Sequence, residues 1–500
     1  MTLEGSVGFQ SMNSLGFEKL CRICDRLAMV LLYMIMIDCT VMGSGRILSI
    51  GPLSLRMILL GVLLVVTIPL VVQQFSRLVR NALLWALVAF GLWVLLEAAL
   101  GVIKKNNISL LVSDIKGFAY FVALIPVLCV LNSRERVHKL MNAIMYSSAF
   151  LAVAALVLLL LYNWTPVFFN WIVNFDYRHD ITMFASVTNK IPRFFFKSTP
   201  YLLCGCAFPI YFSVTEPNRR YAFLHPIIVA LSLFALLLSY TRSIYLAIGG
   251  AAVFFVVVLW LTLDRSGRKH LMKSLGISVA ACLVLTMLLS VMLQADYLGY
   301  GLDRLAISFE KPVTTAPIQT EPPMDPTDTV PADTTPTDTV PADTVPADTV
   351  PADTVPAEPG IYNKYQQLTM ESDQYRALTM AELNHNILLS PIWGHGLGKA
   401  LEVRGGQAHE YIYQDIWMKT GIIGLLLFFA PVVLLIADLI KSIRKKDPRI
   451  SVCATWLAVL LGFMLFSYFN PYMNASLGIL FYCCTIGVFR ADYTHKVNNM

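Results

Sequence analysis

Three isolated arginines stand beside or between long apolar runs: Arg193 in IPRFFFKSTPY, Arg242 in SYTRSIYLA and Arg376 in SDQYRALTMAEL. A guanidinium is a planar fork that takes phosphate oxygens through two parallel hydrogen bonds, so each could clamp an anion. His409 lies in QAHEYIYQDIWMKTGIIGLLLFF, directly ahead of an apolar run. Its imidazole, titrating near neutrality when unperturbed, suits the deprotonation of a hydroxyl nucleophile. Tyr413 follows at i+4 and could share its helix face. His395 sits in WGHGLGKA, where Gly394, Gly396 and Gly398 permit close backbone approach. That glycine run is not a nucleotide loop, because no G-K-[ST] follows it.

Each residue also has a plainer reading. Arg242 could snorkel to lipid headgroups, Arg193 could anchor an interface together with Lys190 and Lys197, and Arg376 could belong to a solvated helix face. His409 could be an ordinary hydrogen-bonded interfacial side chain. No D-x-D pair occurs anywhere in the chain. That argues against carboxylates holding a divalent metal on a pyrophosphate and leaves the arginines to neutralise a leaving group.

The elements that would position these residues are membrane spans. Of the 500 residues 57% are hydrophobic and only 14% charged, and mean hydropathy is +0.64. A soluble fold has too little polar surface to cover such a chain, so a polytopic all-α membrane protein is expected. Nucleic acid is excluded as a partner, since the basic residues lie in short runs between apolar segments rather than on one face. Runs long enough for helical spans fall near 27–43, 55–72, 82–103, 117–132, 140–162, 198–214, 221–239, 244–263, 274–294, 416–439, 451–469 and 475–489. With the N-terminus in the cytoplasm, 21 of the 38 Lys and Arg fall on the inner side. The positive-inside rule then places both termini in the cytoplasm. No cleavable signal peptide is evident, and the first run reads as a start-transfer anchor.

This topology divides the chain into a cytoplasmic tail (1–26), nine spans (27–294), a large outer loop (295–413), three further spans (414–489) and a cytoplasmic tail (490–500). Within the large loop, Pro326–Val355 runs as six pentads of the PADTV type. With a proline in every pentad and no large apolar anchor, this tract is expected to be an extended spacer. From about 361 helical periodicity returns, predicting one or two amphipathic helices on the outer membrane face and an active-site part at 361–413. Asp38 and Glu97 lie inside runs, where snorkelling or helix–helix hydrogen bonds are expected. The ten cysteines lie mostly in apolar segments, and the Cys21/Cys24 pair lacks partners at metal-site spacing.

Taken in order, the short hairpin with Arg242, the large loop with Arg376, Pro391–Gly398, His409, and Gly421 with Gly424 entering a span resemble the bacterial O-antigen ligase and polymerase superfamily. The resemblance covers roughly residues 190–440. It implies an inner-membrane glycosyltransferase opening to the periplasm, a lipid A–core O-antigen ligase first of all. Such a ligase moves a glycan from undecaprenyl diphosphate to a sugar hydroxyl of lipid A–core, using neither cofactor nor metal, among membrane lipids. It further implies His409 as the catalytic base and Arg193, Arg242 and Arg376 as ligands of the donor diphosphate, with His395 and Tyr413 as accessory candidates. Three details depart from the family pattern: Thr241 stands where Ser is usual, Glu410 where Asn is usual, and the gap from His409 to Gly421 is a residue longer than usual.

An O-antigen polymerase or a protein O-oligosaccharyltransferase would need the same donor clamp. A transporter or flippase would also accommodate twelve spans, with Asp38 and Glu97 as coupling groups. A scaffold in an export complex is a third class.

Overall fold

The computed structural model describes residues 4–43, 49–50, 53–179, 182–186, 191–217, 221–306, 361–403 and 411–493. The pentad tract and His409 lie outside the described residues. The chain begins with α1 (Glu4–Val41), turns through a two-stranded hairpin of β1 (Ser49–Ile50) and β2 (Leu53–Ser54), and returns as α2 (Leu55–Val79). There follow α3 (Ala82–Ile103), α4 (Ile108–Phe118), α5 (Leu124–Val130) and α6 (Arg134–Trp164). After α7 (Pro166–His179), an antiparallel hairpin of β3 (Thr182–Ser186) and β4 (Pro192–Phe196) leads into α8 (Leu202–Thr215). Next come α9 (Leu224–Leu237), α10 (Arg242–Thr262), α11 (Arg265–Leu293) and α12 (Tyr297–Ala306). The remaining helices are α13 (Ile361–Leu389), α14 (Ile412–Lys445), α15 (Ile450–Ser467) and α16 (Ser476–Arg490).

The protein is thus an all-α polytopic membrane protein, and every expected apolar run lies on helix. Eight helical stretches among the described residues are long and apolar enough to cross a bilayer alone: α2, α3, Ile108–Val130, α6, α10, α11, α14 and α15. α8, α9 and α16 have only 14 or 15 residues, about 21–23 Å at 1.5 Å per residue, against about 30 Å of hydrocarbon. The run near 117–132 is not one helix. A tight 3-10 turn at Ala119–Ala123 interrupts it, just ahead of Pro126, whose ring would clash with the carbonyl four residues before. Polar caps set several helix starts: Ser54, Asn81, Asn107 and Asp264 each accept a backbone N–H of the first turn. The β3–β4 hairpin and α7 were not legible in the apolar pattern. Among the described residues of 295–413 there is one long helix, α13, of 29 residues.

The core centres on α15, nearly all of whose side chains are buried, with Trp456 stacked on Phe481 and Phe463 stacked on the same ring. Charges sort by end. At the end holding Arg77, Arg136, Arg449 and Arg490, the pairs are Arg136 with Asp25 and Arg490 with Asp438 at 2.9 Å. At the opposite end Arg56, only 1% exposed, joins three elements. Its Nε donates to the Asp38 carboxylate at 2.7 Å, Nη1 to Ser476 Oγ at 2.6 Å, and Nη2 to Gly43 O at 2.9 Å. Asp38 therefore does not snorkel; it makes the helix–helix hydrogen bond. Glu97 does not snorkel either: it is fully buried, and neither carboxylate oxygen meets a hydrogen-bond donor among the described residues.

Removing one member of a buried pair leaves the other charge uncompensated, at about 3–5 kcal/mol. Arg56→Met should destabilise the bundle by about that amount. Arg56→Met with Asp38→Leu should recover most of it, as read by thermal unfolding in detergent.

Candidate active site

The site end of the bundle is where α9, α11 and α15 finish and α10, α14 and α16 begin. Only four residues, Leu238–Thr241, join α9 to α10. The turn is made at Tyr240, a non-glycine residue with φ +43°, a conformation that costs about 1–3 kcal/mol. Burial offsets that cost: Tyr240 is 1% exposed, with its ring edge-on to Tyr300 at 4.7 Å. Burial also pushes the Tyr240 phenol up, helped by the nearby Tyr245, Tyr297, Tyr300 and Asp296.

β4 lies against this turn. Phe194 N donates to Leu238 O at 3.2 Å. Arg193 then clamps the turn, with Nε donating to Ser239 O at 3.0 Å and Nη2 to Thr241 Oγ1 at 3.2 Å. The Thr241 hydroxyl in turn donates to Ser239 O at 3.0 Å. The hydroxyl that departs from the family's serine is thus a working part of the corner. Arg242 is the first residue of α10. A cation there opposes the helix dipole, at about 0.3–1 kcal/mol, so local helix stability does not explain it. Arg193 thus contacts the residue that precedes Arg242, so the two arginines stand at one corner beside the positive end of a helix.

The corner continues into the α15–α16 connection. Asn470 Nδ2 donates to Ser243 Oγ at 3.0 Å, and Phe195 packs on Phe466. Tyr468 and Phe469, one step earlier, pack on Tyr411 with ring centroids 6.2 Å apart in both cases. Tyr411 is buried with Leu383 and Ile387 of α13 and with Met418. Arg376 rides on α13, two turns before Leu383, and beside it Tyr375 donates to Val403 O at 3.2 Å. On the same helix Glu382 accepts from the backbone N–H of Glu402 and Val403. The Tyr468–Asn470 turn therefore joins the Arg193/Arg242 corner to α13 and to the start of α14.

Behind α13, the loop Pro391–Gly398 is locked to α14. The helix is broken at Gly421, with φ +65° and ψ −179°, where only glycine fits because a Cβ would meet the Ile392 carbonyl. Ile422 N donates to Pro391 O instead, and His395 N and Gly396 N donate to Met418 O and Lys419 O. Lys419, buried, donates to Asp114 at 2.9 Å and to Asp415 at 2.9 Å. The second Asp114 oxygen accepts Gly398 N at 2.9 Å. This charge cluster fixes the loop to both α4 and α14.

His395 is engaged in that scaffold: a ring nitrogen pairs with Asn386 O at 2.7 Å. The Tyr413 hydroxyl turns inward and donates to Met464 O at 2.7 Å. Sequence reasoning did not single out Asp114, Asp415, Lys419, Glu382, Ser243, Tyr411 or Asn470. Lys419 and Asp415 stand at i,i+4 in an apolar helix, which is a readable sign of an internal pair. Asp114 and Asn470 carry no such sign.

Gly421→Ala forces a side chain into a positive-φ site facing a carbonyl and should cost at least about 1–3 kcal/mol. Gly249, within α10, has open space at its Cβ position. Gly249→Ala should leave stability unchanged or raise it by up to about 1 kcal/mol. Thermal unfolding of the two variants side by side checks the contrast.

None of the curated proteins matches the chain. A family model described as O-Antigen ligase matches residues 227–429. The match runs from α9 to the middle of α14 and includes Arg242, Arg376, His409 and Gly421, whereas Arg193 and Asn470 fall outside it. Over residues 227–429 the chain is thus similar to the O-antigen ligase family, within a multi-pass membrane protein.

Proposed function

We propose that the chain is an O-antigen ligase that moves a glycan from undecaprenyl diphosphate to a sugar hydroxyl of lipid A–core. In this reading the site faces the periplasm, the protein lies in the bacterial inner membrane, and both termini are cytoplasmic. The observation that carries it is the Arg193/Arg242 corner, where Arg193 of β4 holds the turn that ends at Thr241, next to Arg242 at the N-terminal end of α10. Such a corner suits a diphosphate at headgroup depth.

The acceptor hydroxyl gives its proton to His409, and its oxygen attacks the anomeric carbon. The bond from that carbon to the diphosphate oxygen breaks in the same step, inverting the centre. The lipid diphosphate leaves carrying the electron pair, and Arg193, Arg242 and Arg376 hold the charge that develops. Arginines meet that charge without a metal, consistent with a chain that lacks any D-x-D pair. The coupling role of a transporter draws less support, since Asp38 is locked to Arg56.

Transfer by purified protein in liposomes, with donor and acceptor and no ion gradient, tests the reading; activity that survives a chelator supports it. Transport without transfer would sink it. In cells, a deletion strain that loses all capping while polymer stays on the lipid carrier indicates a ligase, whereas single-repeat capping indicates a polymerase.

His409→Ala should slow transfer by about 10²–10⁴. Arg242→Ala removes a charged hydrogen bond worth about 1.5–3 kcal/mol, roughly 10- to 150-fold in rate at about 1.4 kcal/mol per decade. Arg193→Lys keeps the charge but cannot hold Ser239 O and Thr241 Oγ1 together. Its turnover should fall towards that of Arg193→Ala, and wild-type kinetics from the lysine variant would refute the clamp.

A further inference from the structure

α3 has 22 residues, about 33 Å at 1.5 Å per residue, which is one bilayer crossing with little to spare. The loop after α13 does not sit on the end of α3; it runs down its side. Asn107 N donates to Gly398 O, and Leu397 N donates to Glu97 O. A Cβ on Gly396 would lie 2.6 Å from Gly101 N. Deepest of all, Trp393 stacks on Trp93 with centroids 5.7 Å apart. Trp93 is ten residues from the end of α3 at Ile103, so Trp393 reaches about 15 Å along that helix, half the hydrocarbon thickness.

Irregular backbone is tolerated at such depth only when its polar groups are satisfied from within the protein. The glycine part of the loop meets that condition. From Gly394 to Gly398 every N–H has an acceptor: Ser390 O, Met418 O, Lys419 O, Glu97 O and the Asp114 carboxylate in turn. Each carbonyl has a donor as well. Lys104 Nζ reaches Gly394 O at 3.2 Å, Asn106 Nδ2 reaches the oxygens of His395, Gly396 and Leu397 at 3.0, 3.3 and 2.9 Å, and Asn107 N takes Gly398 O. A water-exposed loop needs no such completeness.

The side chains point the other way. Leu388 and Leu389 are 78% and 65% exposed, and Ile392 and Trp393 are also exposed. This apolar patch continues the exposed face of α3 at Leu92 and Leu96.

We propose that Leu388–Gly398 is a re-entrant segment immersed in the bilayer half nearest the site, with Leu388, Leu389, Ile392 and Trp393 against lipid acyl chains. Its occupant is lipid, because the patch is level with α3 residues that a spanning helix must present to lipid. α13 is thereby anchored at its C-terminal end inside the hydrocarbon. Arg376 lies thirteen residues from Leu389, about 20 Å along the helix, enough to carry it out to the headgroups. That last consequence rests on the donor-binding role proposed above; the immersion itself does not.

The test uses the full chain in phosphatidylethanolamine–phosphatidylglycerol liposomes, with a benzophenone amino acid replacing Leu389, Leu95 or Gln374 in separate variants. Leu95 is exposed on α3 and Gln374 is exposed on α13. Irradiation should give phospholipid adducts at Leu389 in a yield like that at Leu95, and none at Gln374. Adducts at Leu389 to another segment of this chain or to a second copy, or a product pattern like that at Gln374, would overturn the proposal. A fluorescence difference between wild type and Trp393→Phe needs no bulky probe. The Trp393 component should be quenched by lipids brominated on the acyl chain; quenching by aqueous iodide alone overturns the proposal. Either result stands whether or not glycan transfer is observed.

Discussion

Inside a bilayer no water is at hand to satisfy a backbone N–H or C=O, and each orphan costs several kcal/mol. That constraint explains why almost every described residue of this chain is helical. It also explains where the chain departs from helix. The Tyr240 turn, the Gly421 break and the Pro391–Gly398 loop leave carbonyls and amides outside the helical ladder, and each is repaired by a named partner. Arg193 repairs the first of these. Pro391 O receives Ile422 N at the second, and Lys104, Asn106 and Asp114 repair the third. The breaks are the positions where a helical bundle can place chemistry, because only there do side chains from different helices converge on one point.

The few charges inside the bundle obey the same physics in sharper form. A lone buried ion is costly, whereas a paired and hydrogen-bonded one can be kept. Arg56 with Asp38 ties α1, α2 and α16 together, and Lys419 with Asp114 and Asp415 ties α4, α14 and the loop. Both clusters lie at the site end of the bundle. They leave little freedom to the short stretch of α14 above Gly421, whose N-terminal residue follows Tyr411. The site is therefore built on locked elements, with Arg193 on β4, Arg242 at the start of α10 and Arg376 within α13.

Much of this was legible beforehand. Among the described residues the apolar runs overlap every span-length helical stretch, because hydrocarbon tolerates only continuous apolar stretches of a set length, although the run near 117–132 misses the first half of Ile108–Val130. Arg193 and Arg242 could be named from rarity alone, since an arginine at the edge of an apolar run needs a reason. What could not be read was partnership. Asp114 and Lys419 are 305 residues apart, as are many pairs that never meet. Glu97 looked like a residue near a helix end that would snorkel. Only packing shows the loop folded over it, and its carboxylate without a hydrogen-bond donor among the described residues. Tyr413 stood correctly spaced from His409, yet its hydroxyl is used inward on Met464.

The amino-acid sequence by itself determined the class of environment, the helices and the handful of polar residues worth testing, since hydrophobicity and helical period are local properties read along the chain. Tertiary structure decided which of those residues share a corner, which charges neutralise each other, and against which helix the glycine loop packs. The reason is physical: a hydrogen bond or an ion pair is set by distance in space, and in a bundle of long helices the residues that meet across a turn are separated by whole spans of chain.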